Sequence, residues 1–83
     1  MNPKPNMMIQ YQGQFIRLVE KMNIKSLKGE LWWGWLYSPP ENGRSIPVFN
    51  QRVTRIPEGE MVLTGFEVQL NDTAIMTAPQ GGV

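Results

Sequence analysis

The chain is 83 residues long, with eight Lys+Arg, seven Asp+Glu, a net charge of +1, and neither Cys nor His. That length holds one domain, and a unit this small removes only about 60% of its unfolded surface from water, which favours self-association into a homodimer or higher homo-oligomer. Without Cys or His there is no disulfide, thiol nucleophile, imidazole base or zinc site of the usual nitrogen and sulfur ligands, so most enzyme classes fall away and neither metal nor cofactor is expected.

Met1 to Asn6 carries two prolines and two asparagines and reads as a flexible head. No apolar stretch backs its charge, so a signal peptide is not expected. No run of about 18 apolar residues occurs, which argues against a spanning helix. The expected setting is cytoplasmic, away from membrane. Eight Gly and seven Pro then cut the chain into short segments, which favours an all-β fold. Met7 to Val19 places Ile9, Tyr11, Phe15 and Val19 at even spacing around Gly13. This predicts one long bent strand reaching about Glu20, followed by a mobile basic loop over Lys21 to Lys28. The competing reading is a basic amphipathic helix from about Gln14 to Lys28, because Phe15, Leu18, Val19 and Met22 also fall at helical spacing.

Glu30 to Ser38 follows as an aromatic strand ending at Pro39-Pro40. Glu41-Asn42-Gly43-Arg44 holds an Asn-Gly turn signal and leads to a strand over Ile46 to Val53. Ile56-Pro57-Glu58-Gly59 turns the chain into Glu60 to Leu70. A turn at Asn71-Asp72 precedes a short strand over Thr73 to Thr77, and residues 79–83 read as a frayed tail. One domain is expected over residues 7–78.

Leu31-Trp32-Trp33-Gly34-Trp35-Leu36-Tyr37 is the most informative stretch. On a strand, Leu31, Trp33, Trp35 and Tyr37 share one face, and Trp32, Gly34 and Leu36 the other. Both faces are apolar, so one must be covered or offered to a partner. An exposed aromatic row can stack unpaired bases at ~1–3 kcal/mol per base. The competing use is a core built from few residues, with the leftover face buried in a dimer. Gly34 would let a ring or base lie flat on the backbone, or mark a bulge.

Phosphate-binding candidates are Arg17, Lys21, Lys25, Lys28, Arg44, Arg52 and Arg55. Residues 17 to 28 set four cations against Glu20 alone, and a hairpin of the first two strands would project them as a basic arm beside the aromatics. Glu58, Glu60, Glu67 and Asp72 show no D-x-D spacing and have no His partner, so catalysis gains no support.

The order of segments resembles an OB-fold, a five-stranded Greek-key barrel. Met8 to Lys21 looks like its first strand, and Lys28-Gly29 like the lead into its second. Ile56-Pro57-Glu58-Gly59-Glu60-Met61-Val62-Leu63 and Phe66-Glu67-Val68 are similar to the Pro-x-Gly turn and following strand of filamentous-phage single-stranded-DNA-binding proteins. That resemblance implies a dimeric, cooperative coat in DNA replication, contacting the strand through Phe15, Arg17, Trp33, Trp35, Tyr37, Phe49 and Arg52. The expectation is non-enzymatic binding of single-stranded nucleic acid through these residues and the basic loop Lys21, Lys25 and Lys28, as in phage or plasmid replication proteins. The alternative is a protein-interaction module, such as a phage- or plasmid-encoded inhibitor or assembly adaptor, docking through exposed Trp and Met.

Overall fold

Gln12 and Gly13 take φ of 52° and 78°, the consecutive positive values of a tight hairpin turn whose twist suits the flanking strands. They fold β1 (Met7–Tyr11) back on β2 (Gln14–Ser26), with Met8 opposite Arg17 and Tyr11 opposite Gln14. The computed structural model describes residues 2–69 and 75–77. Gly13 is thus a reversal, and the single long strand expected here is two strands.

β2 does not stop near Glu20. It runs to Ser26, and only Leu27 and Lys28 separate it from β3 (Gly29–Ser38). Gly29, at φ 102°, supplies the backbone conformation that L side chains avoid. The Ser26 hydroxyl donates to the Gly29 carbonyl at 3.0 Å and accepts the Lys28 N–H at 3.2 Å. Neither the mobile basic loop nor the competing helix forms. Extended pairing with β3 satisfies the backbone of this segment while Ile16 and Leu18, both at 0% exposure, reach the core together.

Beyond Pro39-Pro40 the expected turn closes with the Arg44 N–H donating to the Glu41 carbonyl at 2.8 Å and Gly43 at φ 82°. β4 (Val48–Pro57), a 3₁₀ turn at Glu58–Glu60, β5 (Val62–Gln69) and β6 (Ile75–Thr77) complete the elements. Thr73, the Asn71-Asp72 turn, Met1 and residues 79–83 lie outside the described residues.

The protein is all-β. Its strands form one sheet in the order β4-β3-β2-β1-β5-β6, every described pair antiparallel. After the four-strand meander the chain returns to set β5 beside β1, a Greek-key type of connection. The expected closed five-stranded barrel is instead an open six-stranded sheet with β4 and β6 at its edges. It must nevertheless curl. Laid flat, β4 and β5 would stand about 19 Å apart across four strand spacings, whereas the five residue-to-residue steps from Pro57 to Val62 reach at most about 18 Å even fully extended.

The concave side holds the core: Met7, Ile9, Ile16, Leu18, Trp32 and Ile56, with Tyr11, Leu36, Val53, Met61 and Leu63 packed around them. Full burial of an aliphatic side chain contributes ~1.5–3 kcal/mol. Asn6, at φ 70°, fastens the entry to β1: its N–H donates to the Leu18 carbonyl at 2.7 Å and its carbonyl accepts the Val68 N–H at 2.9 Å. No helix among the described residues is long and apolar enough to cross a membrane.

Candidate nucleic-acid interface

Period-two alternation sends Trp32, Gly34 and Leu36 inward and Trp33, Trp35 and Tyr37 outward. Trp32 is 3% exposed and lies in the core cluster, where its indole N–H donates to Glu58 Oε2 at 2.7 Å. One indole is therefore spent on the interior. The other two stand half-buried on the convex face.

Register builds that face from neighbouring strands, because side chains of opposed residues lie on one side of a sheet. Arg17 is opposite Trp35 and Trp35 opposite Arg52, giving one row across β2, β3 and β4 that ends on β1 at Met8, which is opposite Arg17 but buried. A parallel row runs from Val62 to Gln10 to Phe15. It continues through the edge-to-face pair Phe15–Tyr37 (6.5 Å between centroids) and the tilted pair Tyr37–Phe49 (5.6 Å). Trp33 packs edge-on against Trp35 at 5.7 Å. All seven residues expected from the resemblance share this surface, and Phe15 is the most open ring at 42% exposure.

Two guanidinium groups cover ring faces. Arg52 sits 4.2 Å from the Trp33 ring centroid, and Arg17 sits 5.5 Å from that of Phe49. Arg17 also donates from Nη1 to Asn6 Oδ1 at 3.4 Å. Its partial burial lowers its pKa from the ordinary value, although arginine remains charged throughout the accessible range. Among the described residues neither arginine has a carboxylate within ion-pair distance.

The lysines do not join this face. Leu18 opposes Gly34 but Glu20 opposes Trp33, so Val19 is an extra residue in the ladder. A one-residue slip exchanges the two faces of a strand. Beyond Val19, Glu20 accordingly turns outward, while Lys21 pairs with Trp32 and lies 5.8 Å from its ring centroid. Lys25 is opposite Glu30. Lys28 forms an ion pair with Glu60 Oε2 at 2.5 Å, and its carbonyl accepts the Gly59 N–H at 2.8 Å. Glu60 raises the Lys28 pKa, first by that hydrogen bond and then by its charge. The three lysines of the basic arm thus part company with the outward-facing rings: Lys21 lies over the inward-facing Trp32, Lys25 is opposite Glu30 in the ladder, and Lys28 is paired with Glu60.

Other candidates are structural. Arg44 donates from Nε to the Ile46 carbonyl at 3.0 Å and from Nη2 to the Pro39 carbonyl, stapling the β3–β4 connection. Arg55, at φ 59°, falls where the register jumps between Gly34–Val53 and Trp32–Ile56, so that Thr54 and Arg55 together face Trp33. Gly34 leaves no room for a guest: a Cβ there would lie 2.2 Å from the Arg17 carbonyl oxygen. Its role is close approach of β2 to β3, not a flat seat for a base. No cluster of metal-ligating side chains occurs among the described residues.

Sequence reasoning missed Gln10 and Val62, which extend the aromatic row, and Asn6, which orients Arg17. Reading Gln12-Gly13 as a hairpin turn would have placed Gln10 beside Phe15. Comparison with family models, curated proteins and solved structures finds no match, so function must be inferred from the surface itself.

Proposed function

We propose that the protein binds single-stranded nucleic acid, without catalysis, on the convex face of β2, β3 and β4. The observation that carries this reading is the juxtaposition of Phe15, Trp33, Trp35, Tyr37 and Phe49 with Arg17 and Arg52, two cations lacking a described carboxylate partner. Rings on a sheet accept bases of any identity, and guanidinium groups beside them meet the phosphates. The resemblance to phage single-stranded-DNA-binding proteins suggests DNA as the natural strand.

Titration with oligo-dT at low salt tests it. Stacking on Trp33 and Trp35 quenches indole emission, and Trp33→Ala or Trp35→Ala weakens binding by about 1–3 kcal/mol. Unchanged emission together with an unshifted gel band refutes the proposal.

A second reading is favoured by Val62 and Phe66. Both are exposed on β5, and Val62 prolongs the aromatic row. A broad apolar surface with a net charge of only +1 also suits a protein partner or a second copy of the chain. A stoichiometric, nuclease-resistant protein complex abolished by Val62→Lys would favour that reading.

A further inference from the structure

The outer face carries its cations in an unusual place for a surface waiting to stack. The Arg52 guanidinium, 4.2 Å from the Trp33 ring centroid, lies where a base would lie. Arg17, from a different strand, does the same to Phe49 at 5.5 Å. A guanidinium and a base cannot occupy one side of an indole together. We propose that Arg52 is a specificity-determining placeholder: it covers Trp33 in the free protein and leaves the ring only when an incoming backbone phosphate takes it as partner.

This rests on the nucleic-acid reading and adds to it a criterion for the ligand. A flat aromatic molecule without an anion must displace the guanidinium and gives it nothing in exchange. A base on a phosphodiester strand displaces it and offers a charge-assisted partner one sugar away. The site would then select against uncharged aromatics and for bases on an anionic chain. Two features support the exchange. Arg52 has no described carboxylate to hold it once it leaves the ring. Arg17 is half-buried beside Asn6, likewise without a described counter-ion, so a strand crossing β3 from β2 to β4 would give each arginine a phosphate of its own.

The test compares wild type with Arg52→Ala and Arg52→Lys, using short oligo-dT and its uncharged methylphosphonate analogue. In the free protein, Arg52→Ala should make tryptophan emission more open to acrylamide quenching. It should bind the methylphosphonate strand about 2–5-fold more tightly than wild type, the inverse of an exposed cation–π contact. For the phosphodiester strand it should flatten the slope of log affinity against log salt by about 0.7. Arg52→Lys keeps the charge but covers the ring poorly, so its slope should match wild type while its quenching rises; this arm stands should the alanine variant fail to fold.

Equal weakening of both ligands by Arg52→Ala, or unchanged quenching in the folded variants, overturns the placeholder role and leaves the binding face intact. Failure of wild type to bind either strand overturns the binding face and the placeholder together.

Discussion

Gly34 shows how one missing side chain can decide a fold. A Cβ at this position would sit 2.2 Å from the Arg17 carbonyl oxygen and 2.9 Å from Ile16 Cγ2. Backbone cannot give way as a flexible side chain can, so Gly34→Ala should cost about 3 kcal/mol or more. For a domain of this size that lowers the thermal midpoint by at least ten or so degrees. A melt followed by circular dichroism decides it, and a midpoint within a few degrees of wild type would refute the close approach. Arg55 poses the opposite case. At φ 59° it bears the left-handed strain of roughly 1–2 kcal/mol that L residues meet there. Arg55→Gly relieves that strain but adds freedom to the unfolded chain, so the midpoint should hold or rise slightly. Arg55→Val, β-branched and poorly tolerated at positive φ, should lower it by several degrees; a valine variant as stable as the glycine variant contradicts the strained bulge. Neither position is readable from local sequence: a glycine amid tryptophans and an arginine on a strand reveal their geometry only when the neighbouring strand is placed.

Beyond its ladders with β1 and β4, the β2–β3 hairpin is tied at its turn end to the 3₁₀ turn by a small set of polar contacts. Trp32 donates to Glu58, Gly59 donates to the Lys28 carbonyl, and Lys28 pairs with Glu60. Glu58→Ala would strand the indole N–H of a buried ring, at about 1–3 kcal/mol; Glu58→Gln retains an acceptor and should recover most of that loss in the same melts. An alanine variant no less stable than the glutamine variant would remove the hydrogen bond from the list of supports. The Lys28 contact makes a pH statement with a definite sign. Its folded pKa is raised above the unfolded value of 10.5, so its contribution is complete below that value and is lost as pH rises through the folded pKa. The midpoint gap between wild type and Lys28→Met should persist from neutral pH to about 10 and then close in more alkaline buffer. A gap that does not close even at the most alkaline pH at which both proteins stay folded would show that packing of the lysine stem, not its charge, supplies the effect. Here the sequence misleads for a physical reason. Lys21, Lys25 and Lys28 are close in sequence, but the extra residue at Val19 turns the strand over, and Glu30 and Glu60 arrive from β3 and the 3₁₀ turn. In contrast, the alternation from Trp32 to Tyr37 needs no knowledge of neighbours, and the two faces it assigns are the faces observed.

On the proposed nucleic-acid reading, charge placement across the molecule sets how binding should respond to salt. The sequence clusters its cations between residues 17 and 28, and a strand tracking that cluster would neutralise Arg17, Lys21, Lys25 and Lys28 together with Arg52. The fold instead sets Arg17 and Arg52 on the faces of Phe49 and Trp33, with Lys21 carried to the other side of β2 and Lys28 joined to Glu60. Each phosphate neutralised on a single strand contributes a slope of about −0.7 to log affinity against log salt. Two arginines therefore predict a slope near −1.4 for an oligonucleotide short enough to engage one subunit, whereas participation of the three lysines would take it to roughly −3.5. Triple replacement of Lys21, Lys25 and Lys28 by Gln should leave the shallow slope unchanged, and Arg17→Gln should flatten it by about 0.7. A steep slope that collapses in the lysine variant would relocate the binding path from the aromatic face to the hairpin arm. If the proposed face binds a strand with so little electrostatic drive, stacking supplies most of the affinity, and the same titrations should show binding retained at salt concentrations that release a predominantly ionic complex.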